Sequence, residues 1–271
     1  MFRTALGAFV RANISACNWV ESYLPRSFTR SLLYRHELLV AGAMNAHPNQ
    51  VILDIGGGHE CPYAHHRQPE LNTTIIAVDI LESQLQANRA ADWRIVANVC
   101  DPLPFQDSSI DILTTRSVME HLQNNALFVR ECSRVLRPGG RCVHVFPSRF
   151  APFAILNRLL PTKFAQKVLY FIFPEWRDEC GFLAYYNDCY VPKILSMFEA
   201  ANLNVKMVEC RYYQSIYFKF FIPFYLLLVG YDLAIWLLGA RMLSCQVLLM
   251  AEKPSAHSQV LEANERAFRA G

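Results

Sequence analysis

An α/β protein built on a doubly wound, mostly parallel sheet is the fold class this sequence predicts, and three observations carry that reading. The strand-like run Val51-Ile-Leu-Asp-Ile55 ends in three glycines, Gly56, Gly57 and Gly58. A second apolar run, Thr74-Ile-Ile-Ala-Val78, closes on an acid, Asp79, about 20 residues further on, at the spacing where a carboxylate can accept both hydroxyls of a ribose. Strand-like and helix-like segments then alternate as far as residue 146, the pattern of parallel strands joined by right-handed helical crossovers. Without a Cβ, the glycine loop can turn through positive φ and let a ligand lie against backbone.

Composition sets the bounds. The chain has 271 residues, 53% of them hydrophobic, and a formal net charge of +3. That length suits one α/β domain with additions, and so even a charge balance leaves no electrostatic footprint for nucleic acid. Nine cysteines are scattered with no C-x-x-C pair, which reads as reduced thiols in a cytoplasmic protein rather than a disulfide framework or zinc site. The first ten residues are faintly basic and apolar, but Arg11 and Asn13 interrupt the run before a signal core forms.

Residues 1–47 read as an N-terminal helical segment: Leu32, Leu33, His36, Leu39, Val40 and Ala43 fall at helical spacing, and Pro25 divides two helices. The main domain is read as 48–252 and a polar tail as 253–271. Within the domain, strands are expected at 51–55, 74–78, 93–97, just before Thr115, and at 141–146. Helices are expected at 81–90 and 119–135, with Leu136-Arg-Pro-Gly-Gly140 as a sharp stop. Residues 150–174 read as a basic amphipathic helix, and 175–190, with Tyr185 and Tyr186, as a polar, aromatic lid over a substrate. A helix at 191–201 and a strand at 203–209 follow.

Several motifs in order carry a resemblance. Leu53-Asp-Ile-Gly-Gly-Gly58, Val78-Asp79, Asn98-Val-Cys-Asp-Pro-Leu-Pro-Phe105, Ser109-Ile-Asp111, Val118-Met-Glu-His-Leu122 and Arg134-Val-Leu-Arg-Pro-Gly-Gly140 resemble class I S-adenosylmethionine-dependent methyltransferases. The likeness covers residues 50–147 and points to the group that includes the ubiquinone-biosynthesis and sterol enzymes. It implies a seven-stranded, Rossmann-like sheet, with the last strand at 242–252, and S-adenosylmethionine as cofactor. It also implies that Asp54, Gly56, Gly57 and Gly58 hold the methionine part, Asp79 the ribose hydroxyls, and Asn98 with Val99 the adenine. Ile80 and Arg116 are implied as flanking cofactor contacts. The chain departs from the family at Glu60, where a further glycine is usual, and at Asn98, where an acid is usual; Asp101 therefore rivals Asn98 for the adenine.

Each candidate has a plainer alternative. Asp79 could cap the helix that follows, and Asp111 is read as a brace before strand four. His121 is the candidate catalytic base by its place in the last but one motif, against a packing role. His59, His65 and His66, near Glu60 and Cys61, match no zinc spacing and read as solvated loop residues, so no metal is expected. Residues 212–240 form an insertion before the last strand, and 216–238 are almost wholly apolar, long enough to reach across a bilayer. Asp232, Lys219 and Pro223 lie within that run, and strands six and seven must share one side of any membrane. Helices dipping into one leaflet or packing over the pocket are therefore expected, with a buried re-entrant hairpin, or an ordinary core or oligomer surface, as alternatives. The resulting functional expectation is a methyltransferase for a hydrophobic or lipid-linked acceptor, cytoplasmic and peripheral to a membrane, with oligomers allowed. The alternatives are a soluble small-metabolite methyltransferase, or a catalytically silent binding module of the same fold.

Overall fold

The computed structural model describes residues 2–159 and 183–255, with side chains from Leu6 onward. The expected amphipathic helix beyond 159, the lid before 183 and the tail beyond 255 lie outside the described residues. Seven strands form one sheet: β1 (Val51–Ile55), β2 (Thr74–Asp79), β3 (Trp93–Val96), β4 (Ile110–Arg116), β5 (Leu136–Pro147), β6 (Asn204–Arg211) and β7 (Gln246–Glu252). Their order is β3-β2-β1-β4-β5-β7-β6. The first five run parallel, and β7 lies antiparallel between β5 and β6. The chain winds outward from β1 to β3, then returns to lay β4 beside β1. The crevice of an open α/β sheet forms at that reversal, outside the carboxyl ends of the strands.

Alternation along β1 sends neighbouring side chains to opposite faces. Leu53 and Ile55 join the core made with α5 (Asn125–Val135) and α7 (Val191–Ala200), against Phe128, Val129, Ile194 and Phe198. Ile52 joins the other core, against Val40 and Met44 of α3 (Leu32–Met44) and Tyr63. His36 of α3 is buried on Thr114 of β4 at 2.7 Å, and burial lowers its pKa to about 4, so it stays neutral there. Asp111 is the brace its position suggested: one oxygen accepts the Val51 amide at 2.8 Å, and both accept Arg137 at 2.8 Å.

Local chemistry moves several boundaries. The helix expected at 119–135 divides into a 3-10 turn, Met119–His121, and α5, because Asn124 accepts the Leu127 amide and starts a new helix. The expected stop at 136–140 is instead the opening of β5. Pairing with β4 slips between Leu136 and Arg141, Gly139 takes φ +82°, and its amide donates to the Lys253 carbonyl at 2.8 Å, which makes a bulge. The last strand begins at Gln246 rather than 242, with a 3-10 turn at Arg241–Leu243 before it.

At the amino end, α1 (Phe2–Glu21) and the short α2 (Arg26–Thr29) precede α3. The insertion is helical, as expected: a 3-10 turn at Ser215–Phe218 leads into α8 (Ile222–Leu237). Asp232, the acid inside the apolar run, is fully buried and accepts both the amide and side-chain nitrogens of Gln214 and the amide and hydroxyl of Ser215. That acid closes the insertion upon itself. Tyr213, Tyr225 and Val229 pack with Cys17 of α1 and Phe28, and Asn13 accepts the Ile222 amide. The break before Ile222 shortens the continuous helix to 16 residues, roughly 24 Å at the usual rise, and among the described residues no helix is long and apolar enough to cross a membrane.

Candidate active site

The glycine loop leaves β1 and folds back on β2. Gly56 and Gly57 donate their amides to the Val78 carbonyl at 2.8 and 3.3 Å, and the Gly58 amide donates to Oδ2 of Asp79 at 3.2 Å. These amides are thus spoken for within the protein. What the glycines supply is room: a Cβ on Gly56, at φ +74°, would lie 2.3 Å from Val118, and one on Gly57 3.0 Å from Ala77. A Cβ on Gly58 would meet only Asp79 and the Gly56 carbonyl, both beyond 3.6 Å, so that side of the loop opens in front of the Asp79 carboxylate. Asn88, fully buried, donates to the carbonyls of Gly57 and Gly58 at 2.8 and 3.3 Å and fixes the loop from behind. No sequence signal marked Asn88, because a lone asparagine after a short helix is unremarkable until the fold brings it under the loop.

Asp79 makes two contacts within the protein. Its Oδ1 accepts the Leu81 amide at 2.9 Å, capping the turn into α4 (Glu82–Ala87), while Oδ2 faces the glycine loop. Ile80 beside it is exposed, and the Ala97 amide donates to the Asp79 carbonyl, so the exit of β3 lies alongside. There Asn98 turns its Oδ1 onto the Cys100 amide at 3.1 Å, Val99 is half-buried, and Asp101 is exposed. A hydroxyl-bearing ring at Asp79 with a flat apolar body over Ile80 and Val99 suits these groups: carboxylate oxygens accept, and the aliphatic chains offer dry surface.

Asp54 lies beneath the other end of the loop. Burial raises its pKa to about 7, opposed by the Cys61 thiol, Tyr63 and Arg116, although the Tyr63 hydroxyl stops short of hydrogen-bond geometry. Arg116 at the tip of β4 pairs with Glu60 at 3.5 Å across the loop's exit, both side chains largely exposed. The residue that replaces the family's usual glycine therefore neutralises the arginine nearest the buried acid. His59 is exposed and joins no metal-ligating group among the described residues.

On the far side of the crevice stands the turn at 119–121. The His121 Nδ1 lies 3.0 Å from the Leu183 carbonyl, which can only accept, so Nδ1 carries the proton and Nε2 is the basic nitrogen. Burial lowers the pKa of His121. Its Nε2 is 3.9 Å from Oε1 of Glu120. Glu120 is 4% exposed, its Oε2 has no hydrogen-bond partner among the described residues, and burial raises its pKa to about 8. Tyr185 and Tyr186 donate their amides to the Glu120 carbonyl at 2.8 and 2.9 Å. Tyr186 is buried, with its hydroxyl accepting from Asn157 at 3.4 Å, whereas Tyr185 is half-exposed and accepts from Gln123 at 3.1 Å. Glu120 is the residue sequence reasoning passed over; an acid between Met119 and Leu122 was its available signal.

Residues 53–144 match a family profile described as a methyltransferase domain. A protein of Mycolicibacterium smegmatis named "probable S-adenosylmethionine-dependent methyltransferase" is 32% identical over 123 residues, 44% of this chain and 47% of that protein. The ubiquinone/menaquinone biosynthesis C-methyltransferase of Vibrio vulnificus is 33% identical over 105 residues, 35% of this chain and 40% of that one. The chain thus spans less than half the length of either relative. Among solved structures, a geranyl diphosphate C-methyltransferase from Streptomyces coelicolor superposes with TM-score 0.51 at 17% identity, covering 81% of this chain and 75% of that chain. The [4+2]-cyclase SpnF does so with TM-score 0.52 at 16% identity, covering 82% of each. Residues 53–144 are thus similar to a methyltransferase domain, and the order of the seven strands is that of the solved methyltransferase-type structures. The opening between Gly58 and Asp79 offers a carboxylate beside bare backbone.

Proposed function

We propose that the protein transfers a methyl group from S-adenosylmethionine to a hydrophobic or lipid-linked acceptor at a membrane surface. The observation that carries the acceptor class is the apolar surface left on the insertion. On α8 and its end, Leu227 and Leu238 are 69% and 80% exposed, and Trp19 on the adjoining α1 is 66% exposed. An aqueous enzyme gains nothing from leucines held in water, whereas each would contribute about 1.5–3 kcal/mol on entering an apolar phase.

In this reading Asp79 accepts the ribose hydroxyls, Ile80, Asn98 and Val99 flank the adenine, and Asp54, the loop Gly56–Gly58 and Arg116 hold the methionine part. The cofactor supplies a methyl already activated on a sulfonium, so alignment and exclusion of water provide much of the rate. The chain's own contribution lies opposite. His121, fixed by Leu183, takes the acceptor's proton at Nε2, with the buried Glu120 carboxyl beside it helping to hold the ring in place. Tyr185 and Tyr186 wall the acceptor's side of the crevice.

The test is incubation of the protein and membranes with methyl-labelled cofactor, followed by organic extraction. Label is expected in the extract. Label confined to water-soluble products would overturn the acceptor class and favour a soluble enzyme whose apolar face joins copies. Cofactor binding with no transfer to either fraction would favour a silent module, a reading that a cyclase of similar fold keeps in view, since fold alone does not fix chemistry.

A further inference from the structure

Away from the crevice, α3 and the 3-10 turn Pro62–His66 bring Glu37, His65 and His66 together. One oxygen of Glu37 lies 3.2 Å from Nε2 of His66 and 3.6 Å from Nε2 of His65, and all three donor atoms fall within 4.8 Å of one another. The two imidazole rings lie against each other, centroids 3.9 Å apart. His65 Nδ1 is 2.6 Å from the Pro62 carbonyl. A carbonyl only accepts, so that nitrogen holds the proton, and in the neutral ring Nε2 directs a lone pair toward the carboxylate. A proton or a metal ion between the two satisfies both, and the second histidine on the same carboxylate oxygen supplies a third donor atom for a metal.

We propose that Glu37, His65 and His66 bind a divalent transition-metal ion of the zinc type. With metal–ligand bonds of roughly 2.0–2.1 Å in a tetrahedron, neighbouring donors sit about 3.3 Å apart, and the two measured separations bracket that value. Two imidazoles and one carboxylate form a ligand set that such ions accept, leaving a fourth position for water. The bond from His65 Nδ1 to a backbone carbonyl is the outer-shell contact that fixes the tautomer and orientation of a metal-bound histidine. Exposure rises from 17% at Glu37 through 34% at His66 to 65% at His65, so the site has a rigid inner ligand and an open approach. Linear spacing hid the site because Glu37 is on a different element, ahead of the glycine loop. A bound ion would fasten α3 to the segment whose Cys61 and Tyr63 lie against Asp54. The site stands apart from the reading of the cofactor crevice and does not depend on it.

Cobalt(II) and zinc(II) titrations of the untagged full chain, stripped of metal, test this. One equivalent of cobalt is expected to give the visible bands of a tetrahedral site, and zinc should abolish them. Zinc should also raise the thermal midpoint. Glu37→Gln and His66→Ala should each weaken cobalt affinity ten- to hundredfold, while His59→Ala should leave it unchanged. Stoichiometric binding that survives both substitutions would overturn the assignment, as would cobalt spectra of the unsubstituted protein that match the free ion. In either case the trio is only a hydrogen-bonded cluster.

Discussion

At the scale of single residues, two carboxylates divide the work. Asp79 is held by the amides of Gly58 and Leu81, so its oxygens are oriented before any ligand arrives. Hydrogen bonds to a charged group contribute about 1.5–3 kcal/mol, so Asp79→Ala should weaken S-adenosylmethionine binding roughly 10- to 100-fold by calorimetry. Asp111→Ala should instead lower stability and leave that affinity near its starting value, because its partners are Val51 and Arg137. Unchanged binding in Asp79→Ala would remove the basis for the whole cofactor assignment. Glu120 works through burial. Its folded pKa of about 8 lies above the 4.5 of an ordinary glutamate, so between those values the folded chain holds a proton that the unfolded chain has released. Stability should therefore fall as pH rises through that window, by at most about 1.4 kcal/mol per unit. Glu120→Gln should flatten the slope in urea titrations between pH 5 and 8. The same variant should lower kcat for methyl transfer while cofactor affinity holds; equal transfer rates in both proteins would make Glu120 a packing residue.

At the scale of elements, what the sequence revealed depended on how local the cause was. The strands β1, β2 and β4 were legible because each is a short apolar run between turn residues, and the loop was legible because adjacent glycines have few other uses. The opening of β5 was not. Pro138 and the glycines after it carry every local sign of a stop, and only Lys253, far along the chain, supplies the carbonyl that turns the stop into a bulge. Asp79 and His121 stand out as candidates by motif position, whereas the burial of Glu120 and Asn88 is encoded by no local pattern. The insertion lay between these cases. Its apolar run was plain, but Asp232 looked like an obstacle rather than the residue that four donors gather around. Asp232→Ala should leave those buried donors unmatched and cost about 2–4 kcal/mol in denaturant unfolding, with Asp232→Asn milder. A change under 0.5 kcal/mol would mean that α8 is secured by its packing on α1 alone.

At the scale of the molecule, the insertion and the amino-terminal helices form one body beside the sheet. The 3-10 turn at 215–218 touches both halves: Tyr217 stacks on Phe153 of α6 (Pro152–Leu159) at 4.8 Å, and Phe218 packs against Phe224 of α8 at 5.2 Å. In the proposed reading, an acceptor drawn from a bilayer would meet the exposed leucines of α8 first. If that is how the surface is used, the chain should float with lipid vesicles in a density gradient. Leu227→Glu combined with Leu238→Glu should then reduce the floating fraction at least tenfold, since two leucines together contribute roughly 3–6 kcal/mol on leaving water. The pair lies outside the crevice, so calorimetric affinity for S-adenosylmethionine should not change. A chain that stays at the bottom of the gradient, yet sediments as a dimer that the same two substitutions dissociate, would assign the apolar face to a second copy and leave the methyl acceptor to be sought among soluble metabolites.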